Sequence, residues 1–320
     1  PVVPRPWALP FVPIWAAISV TRHWLYDHNL LPVARLTVPV IAVGSTNARG
    51  SGKTPAAIMV AQELRRRGHK VGVAVRGYRR VARGSHVSLS TDSMCASQLG
   101  DEGALIASKG FLVAAGPRRV ATARALEHAG ATVVVFEDGF GHRKLYRDID
   151  IIIVDGRNIQ ARGLIPAGER RELDAIPART DGVLCQYASS ENLPTDAIPV
   201  KRLAGVWHHG DVEIPKGPNS DVALFLGVGR PDDFVRDLGL NIRRSRIFDD
   251  HEPISEDTAQ EILTWAAGLP IVCTAKDRVR LPPCLFDRVW WRDIEMTAEH
   301  LPEAWFLFDP STEVSVELDS

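Results

Sequence analysis

The chain has 320 residues, 45% of them hydrophobic and 24% charged, which excludes a disordered polymer and leaves room for one large or two moderate domains. A formal net charge of -1 gives no global reason to bind nucleic acid. Four cysteines, Cys95, Cys185, Cys273 and Cys284, form no C-x-x-C pair or other metal-ligand spacing, as expected of a reduced, cytosolic protein.

The chain opens on Pro1, as expected if an initiator methionine was removed or the numbering trimmed, with little missing. Residues 7–20, "WALPFVPIWAAISV", are apolar but too short to span a bilayer and are interrupted by Pro10 and Pro13. No basic n-region and small-residue cleavage site frame them as a signal peptide. Two readings stand. Trp7, Trp15 and Trp24 with Arg5 and Arg22 suit an interfacial anchor at the headgroup boundary, and the same residues suit an N-terminal helix buried on the core.

Apolar β-branched runs follow at 40–43, 71–75, 111–115, 132–136 and 149–154, with helical stretches predicted at 53–67, 101–108 and 118–128. Runs apolar on both faces read as buried parallel strands, so this region is expected to be a doubly wound α/β domain with ligands at the carboxyl ends of the strands. Between 61 and 83 lie Arg65, Arg66, Arg67, Lys70, Arg76, Arg79, Arg80 and Arg83 against only Glu63. This is either a solvated helix face with a loop or a surface that meets anions.

At 200–215, "VKRLAGVWHHGDVEIP", the pattern changes to two short strands about a His209-Gly210-Asp211 turn, and "KGPNS" follows. A domain junction is expected there. Beyond it, strands at 222–226, 242–248, 271–274 and 289–291 and helices at 232–238 and 256–267 predict a second, smaller α/β unit. The expected organisation is an apolar segment 1–24, a P-loop domain 25–199, a β-hairpin linker 200–215 and a smaller α/β domain 216–320. The fold class is α/β, with a P-loop NTPase-type doubly wound, mostly parallel sheet.

The chemistry starts in "VIAVGSTNARGSGKTP", residues 40–55. A strand runs into a loop of Asn47, Ala48, Arg49, Gly50, Ser51 and Gly52, and a helix begins at Lys53-Thr54. That order aims backbone N–H groups and a positive helix end at a phosphate, with Lys53 for the phosphate oxygens and Thr54 for magnesium. Asn47 stands where the G-x-x-x-x-G-K-[ST] pattern has its first glycine, and asparagine is tolerable there because it enters left-handed conformations readily. Pro55 fits a first helical turn, where no N–H is needed. Glu137 and Asp138 follow an apolar strand, where magnesium-binding carboxylates belong, although acidic residues also cap or turn there. Asp101-Glu102 opens a helix, as a cap or as a metal contact and base. His251 lies between acidic residues in "FDDHEP", and His208-His209 reads as exposed turn sequence without a role.

Together these motifs resemble the tetraacyldisaccharide 4'-kinase family, the lipid A kinases of Gram-negative bacteria. The phosphate loop is similar to the family's G-N-x-T-x-G-G-T-G-K-T-P, which also lacks the first Walker glycine. The likeness continues through "RGY" (Arg76 to Tyr78), "GDE" (Gly100 to Glu102), "RVATARAL" from Arg119, "EDGFGH" (Glu137 to His142), "IIIVDGR", "LIPAGERRE", "LGVGRPDDF", "FDDHEP" and "TAKDRVRLP". The resemblance implies two domains joined by a two-stranded linker and attachment to the cytoplasmic face of the inner membrane through an N-terminal apolar segment. It implies transfer of the ATP γ-phosphate to the 4'-hydroxyl of a tetraacyldisaccharide 1-phosphate, giving lipid IVA.

By the same resemblance Lys53 holds the β/γ-phosphates, while Thr54, Glu102, Asp138 and Glu137 serve Mg2+. Asp101 takes the proton of the attacking hydroxyl with support from His251. Arg76, Arg119, Arg171 and His142 face phosphate groups or substrate. The sequence departs from the family at Ser45, Asn47, Arg49, Glu137, Gly141 and Gly103, which bears on nucleotide contacts, rate and acceptor. A P-loop switch or assembly NTPase is the reading from another class, but its N-K-x-D signature is absent; 274–277 is Thr-Ala-Lys-Asp. A divergent relative that binds with little catalysis is the third.

Overall fold

The computed structural model of the chain describes residues 5–48, 52–78, 80, 86–90, 96–159, 163–189, 191–227, 231–248 and 254–308. A 3-10 turn, Pro6–Phe11, leads into α1 (Val12–Asp27). Then come β1 (Val40–Gly44), α2 (Lys53–Arg66), β2 (Val71–Val75), β3 (Ser88–Leu89), α3 (Ala96–Ser108), β4 (Leu112–Ala115), α4 (Arg119–His128), β5 (Val133–Glu137), β6 (Ile149–Asp155) and β7 (Gly182–Gln186). The chain continues with β8 (Ile198–His209), β9 (Val212–Ile214), β10 (Val222–Leu226), α5 (Pro231–Leu238), β11 (Ile242–Ile247), α6 (Glu256–Ala266), β12 (Ile271–Thr274), α7 (Ala275–Arg278), α8 (Pro283–Phe286) and β13 (Val289–Ala298).

One sheet runs in the order β11-β10-β12-β13-β8-β7-β6-β1-β5-β2-β4-β3, with β9 on β8. Its pairs are parallel except β3–β4, β8–β9 and β8–β13. The fold class expected from sequence is the one that forms. β1 sits between β5 and β6, where the strand order turns back, so the loop after it opens into the crevice at the strands' carboxyl ends.

The two-residue period of each strand divides the core. Ile41 and Val43 face α2 and pack with Ala57, Val60 and Leu64, whereas Val40 and Ala42 face α4 and pack with Ala123 and Leu126. In the other half, Phe225 and Cys273 meet Ile262 of α6, and Leu224 and Leu226 meet Phe234 of α5. At roughly 1.5–3 kcal/mol for each fully buried large apolar side chain, these faces rather than helix propensity hold the layers together.

The hairpin expected about Gly210 forms, with Trp207 opposite Ile214 and His209 opposite Val212. Its first strand does more than form a hairpin. β8 runs antiparallel to β13 from Val200–Ala298 to His209–Trp290, so the hydrogen-bonded sheet continues through residues 200–215. β13 is ten residues long where three were expected, because Arg292, Asp293 and Glu295 interrupt the apolar pattern of a strand that is only partly covered. Beyond it the chain returns, and Met296, Trp305 and Phe306 join the core beneath α2.

The N-terminal element differs from the core-packed reading. Trp7, Leu9, Phe11, Ile14, Ile18 and Trp24 are all more than half exposed or close to it, Trp7 at 72% and Ile18 at 59%, whereas Ala8 and Tyr26 are its buried hydrophobic residues. α1 has 16 residues and spans about 24 Å at 1.5 Å per residue. No helix among the described residues is long and apolar enough to cross a membrane.

Candidate active site

The phosphate loop is built on a second loop, residues 163–175. Arg171 N donates to Thr46 O at 2.7 Å, Ala48 N donates to Glu169 O at 2.9 Å, and Thr46 Oγ1 donates to Ala175 O at 2.9 Å. Asn47 forms an antiparallel bridge with Arg170. The left-handed conformation expected of Asn47 is therefore not adopted; it is absent from the positive-φ residues, because this ladder holds the position extended. Asn47 Oδ1 is buried with no hydrogen-bond partner. Arg49, Gly50 and Ser51 lie outside the described residues.

Gly52 carries the chain into α2 at φ +76°, a region that an L side chain enters at a cost of about 1–3 kcal/mol. A Cβ there would also stand 3.2 Å from Gln186 Oε1 and 3.3 Å from Met296 Cε. Lys53 and Thr54 then form the first turn of α2. Lys53 Nζ lies 3.8 Å from Asp138 Oδ1, and Thr54 Oγ1 donates to Glu137 Oε1 at 3.1 Å.

Glu137 ends β5 and is buried, while Asp138 follows at φ +49°, which short polar side chains tolerate. Arg171 Nη1 donates to both Asp138 oxygens at 3.0 and 3.1 Å. Its other nitrogen reaches Ala48 O at 3.4 Å, so Arg171 clamps the acidic turn to the phosphate loop. Burial raises the Glu137 carboxyl to about 7, helped by the charges of Asp138 and Glu102 and opposed by Arg119 and Lys53.

Arg119, first in α4, is the buried counter-charge. It donates to Glu137 O and to Ala74 O at 3.3 Å, and its guanidinium lies 4.2 Å from the Phe136 ring centroid. Burial lowers it to about 10, so it stays a cation at neutral pH, and its Nη1 is buried with no hydrogen-bond partner. Arg76 is exposed, and its charge acts on Arg119. His142 sits edge-on to Phe136 with Nε2 buried and unpartnered. Burial and the cations Arg119, Arg22, Arg147 and Lys144 lower it to about 4, so it is a neutral imidazole at neutral pH.

The Asp101-Glu102 pair stands after a kink in α3 at Gly100, φ +76° and ψ 167°. A Cβ at Gly100 would lie 2.8 Å from Tyr78 O, so glycine lets the two segments "RGY" and "GDE" touch. Asp101 is buried at the restart of the helix. Glu102 lies near enough to Glu137 for its charge to help raise the Glu137 pKa, and Lys276 Nζ of α7 is 3.1 Å from Glu102 Oε1. Of the expected site residues, His251 lies outside the described residues. Sequence reasoning missed Lys276 and also Glu172, which is buried beside Arg171. Both stand in quoted motifs, but nothing in spacing assigns either a partner.

The family model described as "LpxK: Tetraacyldisaccharide-1-P 4'-kinase" matches residues 5–307. The chain belongs to this family. Among its relatives, the tetraacyldisaccharide 4'-kinase of Anaeromyxobacter sp. (strain Fw109-5) is 36% identical over 304 residues, covering 84% of this chain and 81% of the relative. That of Aeromonas hydrophila is 32% identical over 294 residues, covering 89% and 86%. A crystal structure of LpxK from Aquifex aeolicus in complex with ATP superposes with a TM-score of 0.74 at 27% identity, covering 91% of this chain and 94% of that one. Membership of a 4'-kinase family disfavours the switch-NTPase reading.

Proposed function

We propose that the chain transfers the γ-phosphate of ATP to the 4'-hydroxyl of a tetraacyldisaccharide 1-phosphate, giving lipid IVA in lipid A biosynthesis. One observation carries the reading beyond family membership. Lys53, Thr54, Glu137, Asp138 and Arg119 form one contiguous network at the carboxyl end of the sheet, and its fully buried cation keeps an uncommitted N–H. A buried guanidinium with a free donor suits an anionic ligand.

In the proposed step the 4'-oxygen attacks the γ-phosphorus, the bond to the β,γ-bridging oxygen breaks, and ADP leaves with that electron pair. Asp101 accepts the hydroxyl proton, supported by His251. Lys53 holds the β- and γ-oxygens, and the loop Asn47 to Thr54 wraps the phosphates with backbone N–H groups. Arg119, Arg171 and Arg76 offset the charge that spreads over the phosphoryl oxygens, with His142 as a neutral donor.

The residues present fit magnesium as well as nucleotide. Magnesium takes hard oxygen donors and completes its shell with phosphate and water, and the site offers carboxylates and a hydroxyl around Lys53. Thr54 and the carboxylates of Asp138, Glu102 and Glu137 are the hard oxygen donors for it. The chemistry such an ion would supply there, when bound, is positive charge against the phosphate groups.

The apolar 3-10 turn and α1 are proposed to lie in the cytoplasmic surface of the inner membrane, since their exposed Trp, Phe, Leu and Ile side chains have the chemistry of the headgroup and acyl boundary. The basic stretch within 61–83 would meet anionic headgroups or the 1-phosphate of the acceptor. No nucleic acid partner is proposed. Residues 25–199 are proposed as the nucleotide unit and 216–320 as the smaller unit, joined at 200–215. The deciding assay is transfer of labelled phosphate from ATP to tetraacyldisaccharide 1-phosphate in detergent micelles. A folded preparation that labels no lipid would sink the proposal.

A further inference from the structure

We propose that His23 is a positioning residue for phosphoryl transfer, tying the lipid-facing helix α1 through Glu172 to the two loops that hold Asp138 and Arg171. The inference rests on the kinase reading above and adds to it a physical joint between membrane engagement and catalytic geometry.

α1 has two faces with different partners. The outer face is the exposed apolar surface of Ile14, Ile18 and Trp24. On the inner face, Trp15 Nε1 donates to Arg171 O at 3.4 Å and Arg22 donates to Gly141 O. Arg143 donates to His23 O at 3.2 Å and pairs with Asp27 at 2.7 Å. Arg5 N, just before the 3-10 turn that leads into α1, donates to Ala167 O at 3.1 Å. These contacts fall on two segments, 141–143 and 167–171. One follows the Glu137-Asp138 turn, and the other braces the phosphate loop.

The centre of this face is a buried carboxylate with two partners. His23 Nε2 lies 2.8 Å from Glu172 Oε2, and Arg179 Nη2 donates to Glu172 Oε1 at 3.0 Å. Arg179 lies 4.0 Å from the centroid of the Phe140 ring, two residues after Asp138. Burial by itself would raise the Glu172 carboxyl, but the hydrogen bond from His23 and the charge of Arg179 outweigh it and hold it at about 2. Glu172 is thus a charged, buried side chain with a cationic partner on one oxygen and His23 on the other. Its chain neighbour is Arg171, whose guanidinium grips both oxygens of Asp138.

A helix that only anchors needs its apolar face. This one also supplies a ligand to a buried carboxylate, and removing one partner of such a group forces its surroundings to rearrange. The rearrangement would begin one residue from Arg171 and would reach, through Arg179, the Phe140 ring two residues after Asp138, so the Asp138 turn would lose its alignment while the apolar face stayed intact.

The test uses the full chain with His23→Leu, which removes the hydrogen bond at similar bulk, and His23→Gln, which can donate to Glu172 without carrying charge. Each is assayed for lipid phosphorylation in mixed micelles, for sedimentation with phosphatidylglycerol-containing vesicles, and for amide hydrogen exchange. His23→Leu is expected to lower kcat on the order of 10–100-fold, as sub-ångström misplacement does, with vesicle binding and the KM for ATP nearly unchanged. Faster exchange is expected within 138–143 and 164–172, and His23→Gln should recover most of both losses. Unaltered exchange in those loops would overturn the joint, even if the wild-type chain phosphorylated no lipid, an outcome that would separately sink the kinase reading. Activity lost only in proportion to vesicle binding would also overturn it, leaving α1 as an anchor.

Discussion

In the proposed reaction Lys53, Asp101 and Glu137 would take the separate tasks of binding, proton transfer and charge balance, and substitution should resolve them kinetically. Asp101→Ala should lower kcat by roughly 10²–10⁴-fold with ATP affinity retained, because a general base acts only as the hydroxyl attacks. Lys53→Ala should impair both ATP affinity and turnover, since its ammonium serves ground state and transition state alike; steady-state kinetics with varied ATP distinguishes the two patterns. An Asp101→Ala enzyme of full activity would remove the base assignment. Glu137 makes a pH prediction. Its folded value, about 7, lies above the ordinary 4.5, so its contribution to stability is complete below about 4.5 and is lost as pH rises through about 7. The Glu137 contribution to the melting temperature of the nucleotide-free protein should therefore fall between about pH 4.5 and pH 7 and level off above that, and Glu137→Gln should flatten that fall. Asn47 was foreseeable as a tolerated residue but not for the right reason. Its place in a ladder with Arg170, about 120 residues away by the separation of the numbers, is invisible to any local rule.

At the scale of elements, the parallel strands and the helices flanking the site were legible because they are buried on both faces or on one broad stripe, and that burial writes itself into the sequence as an uninterrupted or periodic apolar run. α2 and α4 begin and end within a residue or so of the expected limits. The α3 kink was half legible: the helix was expected to start at Asp101, and it does restart there after Gly100. Gly100→Ala should cost about 1–3 kcal/mol by placing a side chain at positive φ, and the clash with Tyr78 O should displace Asp101 as well. Activity should accordingly fall further than the melting temperature predicts, as a paired thermal and kinetic measurement would show. α1 is where composition left two outcomes open. Its apolar content suits a core helix or an interfacial one equally, and the choice depends on whether other elements cover it. Replacing Ile14 and Ile18 with serine should weaken vesicle binding by more than tenfold, since each buried aliphatic side chain is worth roughly 1.5–3 kcal/mol at the interface. Sedimentation that does not change would remove the interfacial assignment.

For the whole molecule, the antiparallel pairing of β8 with β13 makes one sheet of two α/β halves and returns the chain to the P-loop core. Trp305 is buried there against the backbone of Gly182, where a Cβ would come within 2.0 Å of its ring. Trp305→Ala should lower stability by about 3–5 kcal/mol and be visible as a lower melting temperature, even though the residue is far along the chain from β7. The return also brings Lys276 to Glu102, so a cation from beyond the junction faces a carboxylate proposed for the metal.

The amino-acid sequence by itself determined the α/β class, the phosphate loop, the acidic pairs after β5 and at the restart of α3, and the family. These are features of local order, since a strand, a loop and a helix start must be contiguous to act together. Tertiary structure alone decided which polar side chains meet: Arg171 on Asp138, Arg119 beneath Glu137, Lys276 on Glu102, and His23 on Glu172. Each of these pairs joins residues remote in the chain whose encounter depends on how sheets and loops pack. A motif records which side chains are present, but electrostatic coupling depends on their separation and burial, and those quantities exist only after the layers have closed.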